Sequence, residues 1–211
     1  MSDITLYTVP QSRGTYVRWM LEECQASYDV VALDFESSIK SADYLAINPM
    51  GKVPALRHRE HTMTEMLAII TYLAEIFPEH KMIPAAGTPE RGQFYRWMCF
   101  ALHLEYAAVD KRRGITTQDG QQRRAIGYGD FDTAFNTLRK PLGSRQHLIG
   151  DHFTALDLYY SALLGWLTHV AKVLPADDPV FGAFMTRHMA RPALVRTRQL
   201  EEEQVARPRT R

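Results

Sequence analysis

"NPMGKVPAL" occupies residues 48–56, with Pro54 set between Val53 and Ala55 at the head of a short apolar run. Proline cannot donate a ladder hydrogen bond, so within a sheet it is confined to edges, strand starts or bulges. An X-Pro linkage is also the one peptide bond that becomes cis at modest cost. The stretch therefore reads as a built turn feeding a strand at 54–57, not as a broken strand.

Upstream, "ITLYTV" (4–9) is short, β-rich and closed by Pro10. Val17, Met20, Leu21 and Cys24 then recur at i, i+3, i+4 and i+7, one face of a helix. Ser12 stands where the N-cap of that helix belongs. "YDVVALDF" (28–35) reads as a second strand. A strand, a helix and a strand this close make a βαβ unit with a right-handed crossover. "SADYLAI" (41–47) is a short helical piece stopped before Pro49.

Downstream, a turn at "REH" leads to a strand near 61–64. The helix from Glu65 to about Phe77 carries two apolar stripes, Met66-Ile69-Leu73-Ile76 and Leu67-Ile70-Ala74-Phe77. A helix apolar on two sides is covered on two sides. The order β-α-β then β-β-α predicts a small thioredoxin-like α/β domain over residues 1–80. Residues 81–87 read as a linker, and 88–211 as an all-α helical domain. Thr88-Pro89-Glu90 is a helix start: a cap, a proline in the first turn, then an acid at the positive end. In "GDHFTALD" (150–157), Thr154 and Asp157 form a capping box before the run Leu156, Tyr160, Leu163, Leu167 and Val170.

Composition excludes several classes. The chain has 211 residues, 45% of them apolar, so it can bury a sizeable core. Twenty-five Lys and Arg stand against 24 Asp and Glu, which leaves no electrostatic case for nucleic acid or an acidic membrane. "ARPRTR" (206–211) reads as a solvated tail. Cys24 and Cys99 belong to no C-x-x-C pair, which fits a reducing cytoplasm and argues against a zinc ribbon. His58 and His61 have no further ligands near them and read as a polar turn, so no metal centre is expected. "MSDITLYTV" lacks the features of a signal peptide, and 153–173 carries Asp157, His169 and Lys172, which argues against a membrane span.

Three patterns in order resemble the glutathione transferase family across nearly the whole chain: "NPMGKVPAL", "TEMLAIITYLAE" (64–75) and "GDHFTALD". "LYTVPQSRGTYVRWMLEE" (6–23) is similar to the serine-type bacterial and plant members. The resemblance implies a cytoplasmic homodimer that uses glutathione as co-substrate, with no bound cofactor, and conjugates its thiol to an apolar electrophile. It implies a cis Val53–Pro54 bond that turns the Val53 backbone toward a peptide-like ligand. Ser12 then donates to the thiolate, with Tyr7 as the alternative donor. Lys52, Val53, Pro54, Glu65 and Met66 hold glutathione, and Tyr106, Arg113 and Trp166 line the second-substrate site between the domains. Met66 departs from the family pattern, which has serine here, so a hydroxyl partner for the γ-glutamyl carboxylate is missing. The other reading of that departure is a binding or interaction protein with weak catalysis.

Overall fold

The computed structural model describes residues 2–116 and 119–206. The chain divides into two compact units, Met1–Met82 with Ala190–Arg211, and Ile83–Met189.

The first unit contains β1 (Ile4–Thr8), α1 (Gly14–Glu23), β2 (Asp29–Ala32), α2 (Ala42–Ile47), β3 (Ala55–His58), β4 (His61–Thr64) and α3 (Met66–Ile76). Its sheet has the order β2-β1-β3-β4, with β2 parallel to β1 and the other pairs antiparallel. This is the expected β-α-β, β-β-α arrangement. β1 is central, and every residue of it is buried, which explains a strand without polar alternation. β2 is shorter than expected. It is an edge strand with mostly exposed side chains, and Asp34 then binds the N–H groups of Glu36 and Ser37 in a turn.

The last helix corrects the expected domain limits. The helical part runs through α4 (Pro89–Arg112), α5 (Gly120–Ala125), α6 (Phe131–Leu142), α7 (Ala155–Gly165) and α8 (Pro179–His188), but α9 (Pro192–Ala206) folds onto α1 of the first unit. The contacts are polar. Arg191 grips Glu23 with two bonds of 2.6 and 2.8 Å, Arg196 meets Glu22 at 2.8 Å, and Arg18 donates to Gln204 at 2.6 Å. Glu201 accepts from Thr15 and from the Gln11 N–H, and burial pushes its carboxyl above the usual range. The buried positions of α9 are Leu194, Thr197 and Glu201, so no apolar stripe announces its partner. The reading of residues 207–211 as a solvated tail falls outside the described residues.

In the second unit, no strand forms among the described residues. Thr88 caps α4 as expected, its hydroxyl accepting from the Arg91 N–H. α7 is buried at nearly every position, and its capping box is formed: the Thr154 N–H donates to Asp157 at 2.9 Å. Leu156, Tyr160, Leu163 and Leu167 are buried as the periodicity implies, but Val170 is 64% exposed. A π turn over Trp166–Val170 widens the last turn and rotates that residue off the stripe. No helix among the described residues is long and apolar enough to cross a membrane.

Cys24 packs into the α1 core at 2% exposure, whereas Cys99 is exposed. Burial, with the Glu23 and Glu79 charges behind it, pushes the Cys24 thiol up to about 12. Only the thiolate is nucleophilic. An aromatic disulfide reagent at pH 8 is therefore expected to label one thiol per native chain, Cys99. A second should appear only in denaturant. Two rapid equivalents from the native chain would contradict the packing.

Candidate functional site

Register gathers the site. Tyr7 at the end of β1 pairs with Ala55 at the start of β3, and Ala55 pairs with Thr64 at the end of β4. The segment leaving β1, the segment entering β3 and the segment leaving β4 therefore emerge at one end of the sheet. These segments carry Ser12, Val53-Pro54 and Glu65-Met66.

Ser12 is fixed by two hydrogen bonds. Its hydroxyl donates to the Val9 carbonyl at 2.6 Å and accepts the Gly14 N–H at 3.1 Å. The Thr15 N–H reaches the Ser12 carbonyl at 3.0 Å, so the first turn is wound tightly and α1 proper begins at Gly14. The cap position of α1 falls on Arg13, not on Ser12 as expected, and Ser12 one residue earlier holds the Gly14 N–H instead. The glycine is required by packing: a Cβ at Gly14 would land on the Thr8 Oγ1 beneath it. Tyr7 lies in the core with Val9, Ile39, Tyr44 and Ala55, its ring 6.2 Å from that of Tyr44.

The turn at 48–54 is held by side chains that the sequence reading passed over. Asn48, 5% exposed, accepts the Met50 N–H at 3.1 Å and donates to the Lys52 carbonyl at 2.7 Å. The Tyr44 hydroxyl donates to the same carbonyl at 2.6 Å, and burial pushes that phenol above its ordinary value. The Lys40 ammonium holds the Gly51 carbonyl at 3.2 Å, and Gly51 takes a φ of 57°. Tyr44 and Asn48 are four residues apart, a spacing that puts both on one helix face, and this was the available signal. The Val53–Pro54 bond is cis. Val53 stands ahead of the ladder, which begins at Ala55, and packs against the Tyr7 cluster. The Lys52 side chain is exposed. Asn48→Ala is expected to cost about 1–3 kcal/mol through the two lost bonds, read by urea unfolding. No loss would mean that the turn holds without it.

Glu65 turns the chain from β4 into α3. Its φ of 66° is rare for a side chain other than glycine, and such a backbone costs about 1–3 kcal/mol unless its surroundings enforce it. The Glu65 side chain is exposed and caps nothing. The opening turn of a helix leaves N–H groups without helical partners, and the positive end of the dipole lies there. The Met66 side chain points inward at 6% exposure, so only its backbone is offered to a ligand.

The three residues expected to line a second-substrate site lie in the helical unit. Tyr106 is 64% exposed on α4, Arg113 ends that helix, and Trp166 opens the π turn after α7. A cavity of about 1100 Å³ lies elsewhere in the first unit, against α1, β2 and α9. It shares only Val9 and Pro10 with the segments described above.

This fold and site define a thioredoxin-like domain whose proline-led turn and helix start face one end of the sheet. The glutathione S-transferase N-terminal domain family matches residues 2–75. The chain is 26% identical over 179 residues to glutathione S-transferase GstA of Escherichia coli O157:H7, covering 82% of this chain and 86% of that protein. It is 27% identical to glutathione S-transferase GST-4.5 of Xanthomonas campestris, covering 88% and 92%. Among solved structures, a ternary complex of BphK, a bacterial glutathione transferase, superposes with a TM-score of 0.77 at 26% identity, covering 94% of this chain and 99% of that one. A sphingomonad glutathione S-transferase complexed with glutathione gives 0.74 at 25% identity, covering 94% and 98%. Residues 2–75 match the glutathione S-transferase N-terminal domain, and most of the chain is similar to glutathione transferases.

Proposed function

We propose that the chain conjugates the thiol of glutathione to an apolar electrophile. The observation that carries this is the shared sheet end of Ser12, Val53 and Met66, set by the Tyr7–Ala55–Thr64 register. The Val53 backbone takes the cysteinyl residue of glutathione as an added strand, so main-chain bonds supply the grip. The Met66 N–H and the positive end of α3 receive the γ-glutamyl carboxylate, and the Glu65 carboxylate receives its ammonium. Lys52 meets the glycyl carboxylate. The sulfur then lies at the foot of α1, beside Ser12.

A free thiol has a pKa of ~8.5, so little of it is thiolate at pH 7. Lowering it by about two units requires ~2.7 kcal/mol of preferential stabilisation. A hydroxyl donor and a helix N-terminus together supply that order of energy. The thiolate lone pair forms a carbon–sulfur bond as the electrophile's leaving group departs with the displaced pair. Tyr106, Arg113 and Trp166 are proposed to meet the electrophile. We also propose a homodimer. Tyr95, Leu102 and Val109 recur seven residues apart on α4 at 44%, 45% and 37% exposure, an apolar face open for a second copy. A monomer by light scattering at micromolar concentration would overturn this.

A chloronitrobenzene conjugation assay beside a calorimetric glutathione titration tests the main reading. Turnover with binding is expected. Binding without turnover would point to a binding module instead. Met66→Ser is expected to tighten glutathione about tenfold, because a short hydroxyl on Cβ at the helix start turns to the charged ligand where the longer methionine side chain is buried in the core. Because the Met66 side chain is buried, the same change is expected to cost about 2–4 kcal/mol of stability. Unchanged or weaker binding in a folded serine variant would place the carboxylate elsewhere.

A further inference from the structure

In the second unit, His147, Asp157 and His188 each bring one ligand atom to a point, all within 4.8 Å of one another. We propose that these three residues form a site for a divalent transition metal of the zinc type. Two imidazoles and a carboxylate suit Zn²⁺, Co²⁺ or Ni²⁺ better than a hard cation such as Ca²⁺.

Four observations support the site. First, the His147 Nδ1 is hidden from solvent and has no hydrogen-bond partner, yet lies 3.6 Å from the Asp157 Oδ2. Ligand atoms on a tetrahedral zinc are roughly 3.3 Å apart, given Zn–N and Zn–O near 2.0–2.1 Å. That pair is already close to ligating distance. Second, the His188 Nε2 faces the Gln146 carbonyl at 3.1 Å. A carbonyl accepts, so Nε2 carries the proton and Nδ1 keeps a lone pair. This is the outer hydrogen bond that orients a ligating histidine. Third, Asp157 is fully buried, and no lysine or arginine pairs with it among the described residues. Among the described residues, its carboxylate accepts only from the Leu148 N–H, the Thr154 N–H and the Thr154 hydroxyl. A cation would balance that charge. Fourth, the Phe153 and Phe184 rings lie 5.2 and 4.6 Å from the His188 ring and wall the site with apolar surface.

Closing the cage asks for movement of His147, whose side chain keeps 14% exposure and offers the way in from solvent. The Thr154 hydroxyl yields its place on Oδ2, and water completes the coordination. The nearby Asp151–His152 pair is exposed and stands outside the cage.

The test is titration of the chelator-treated full chain with ZnCl₂ by calorimetry and with CoCl₂ by visible absorption. One equivalent per chain and the bands of tetrahedral Co²⁺ are expected. Zinc should raise the melting temperature of the parent chain but not that of His147→Gln. His147→Gln and His188→Gln should each weaken binding by about tenfold or more, and His152→Ala should not. If His188→Gln fails to fold, His147→Gln decides alone, since that residue sits at the edge. Absence of stoichiometric binding, or binding that survives His147→Gln or disappears in His152→Ala, would overturn the site.

Discussion

Ser12→Ala is expected to cut turnover about tenfold and to raise the pKa of the bound thiol by about one unit, because the helix N-terminus keeps its share of the stabilisation. The structure sharpens why. A hydroxyl has one proton, and that of Ser12 is given to the Val9 carbonyl at 2.6 Å while the oxygen accepts from Gly14. Donation to a thiolate therefore means exchanging a neutral acceptor for an anionic one, and hydrogen bonds to charged groups are the stronger ones. The Val9 carbonyl is not abandoned by the exchange, because the Thr8 hydroxyl also donates to it at 3.1 Å. The preference for the anion is the catalytic gain. Stability should fall by only about 1 kcal/mol, the order of a lost hydrogen bond at a helix start. The readouts are a pH titration of the thiolate absorbance and steady-state rates. Tyr7→Phe is the control, since its ring is packed into the core. A larger kinetic loss in that variant would make Tyr7 the donor.

Much of the first unit was legible because local chemistry and global fold agree there. Pro54 at a strand start, the α1 face and the stripes of α3 each have a periodicity or a backbone rule behind them. The cis bond was an implication of the family resemblance, and the meeting of the segments bearing Ser12 and Met66 at one sheet end depends on strand register. What was not legible lacks local signal. Glu65 adopts a glycine-like φ without being glycine. α9 docks through ion pairs that link residues 168 and 174 positions apart. Met66 sits where a ligand residue was expected, but its side chain serves the core. His147, Asp157 and His188 are too widely spaced for a ligand motif and converge only when α7 and α8 pack. For α9 and for the histidine–aspartate cluster the deciding contacts are long-range, and sequence spacing carries no record of them.

Asp157→Ala is expected to have the largest effect on stability, a loss of about 3–6 kcal/mol. The carboxylate accepts from the Leu148 N–H at 2.8 Å, the Thr154 N–H at 2.9 Å and the Thr154 hydroxyl at 3.1 Å. Asp157 and Leu148 are fully buried and Thr154 is 1% exposed, so water cannot replace the lost acceptor. Each buried donor left unsatisfied costs about 1–3 kcal/mol, and more when its partner was charged. Whole domains are stable by only about 5–15 kcal/mol, so this one change spends a large share. Asp157→Asn keeps one carbonyl acceptor and should fall between the parent and alanine. Urea unfolding with a chelator present isolates the hydrogen bonds from any metal. A loss under 1 kcal/mol for alanine would mean that the 148–154 loop finds other partners and that α7 does not depend on its box. The contrast with Ser12 separates the two roles: Ser12→Ala should change rates far more than melting, and Asp157→Ala should change melting first, with activity lost only as the fold is lost.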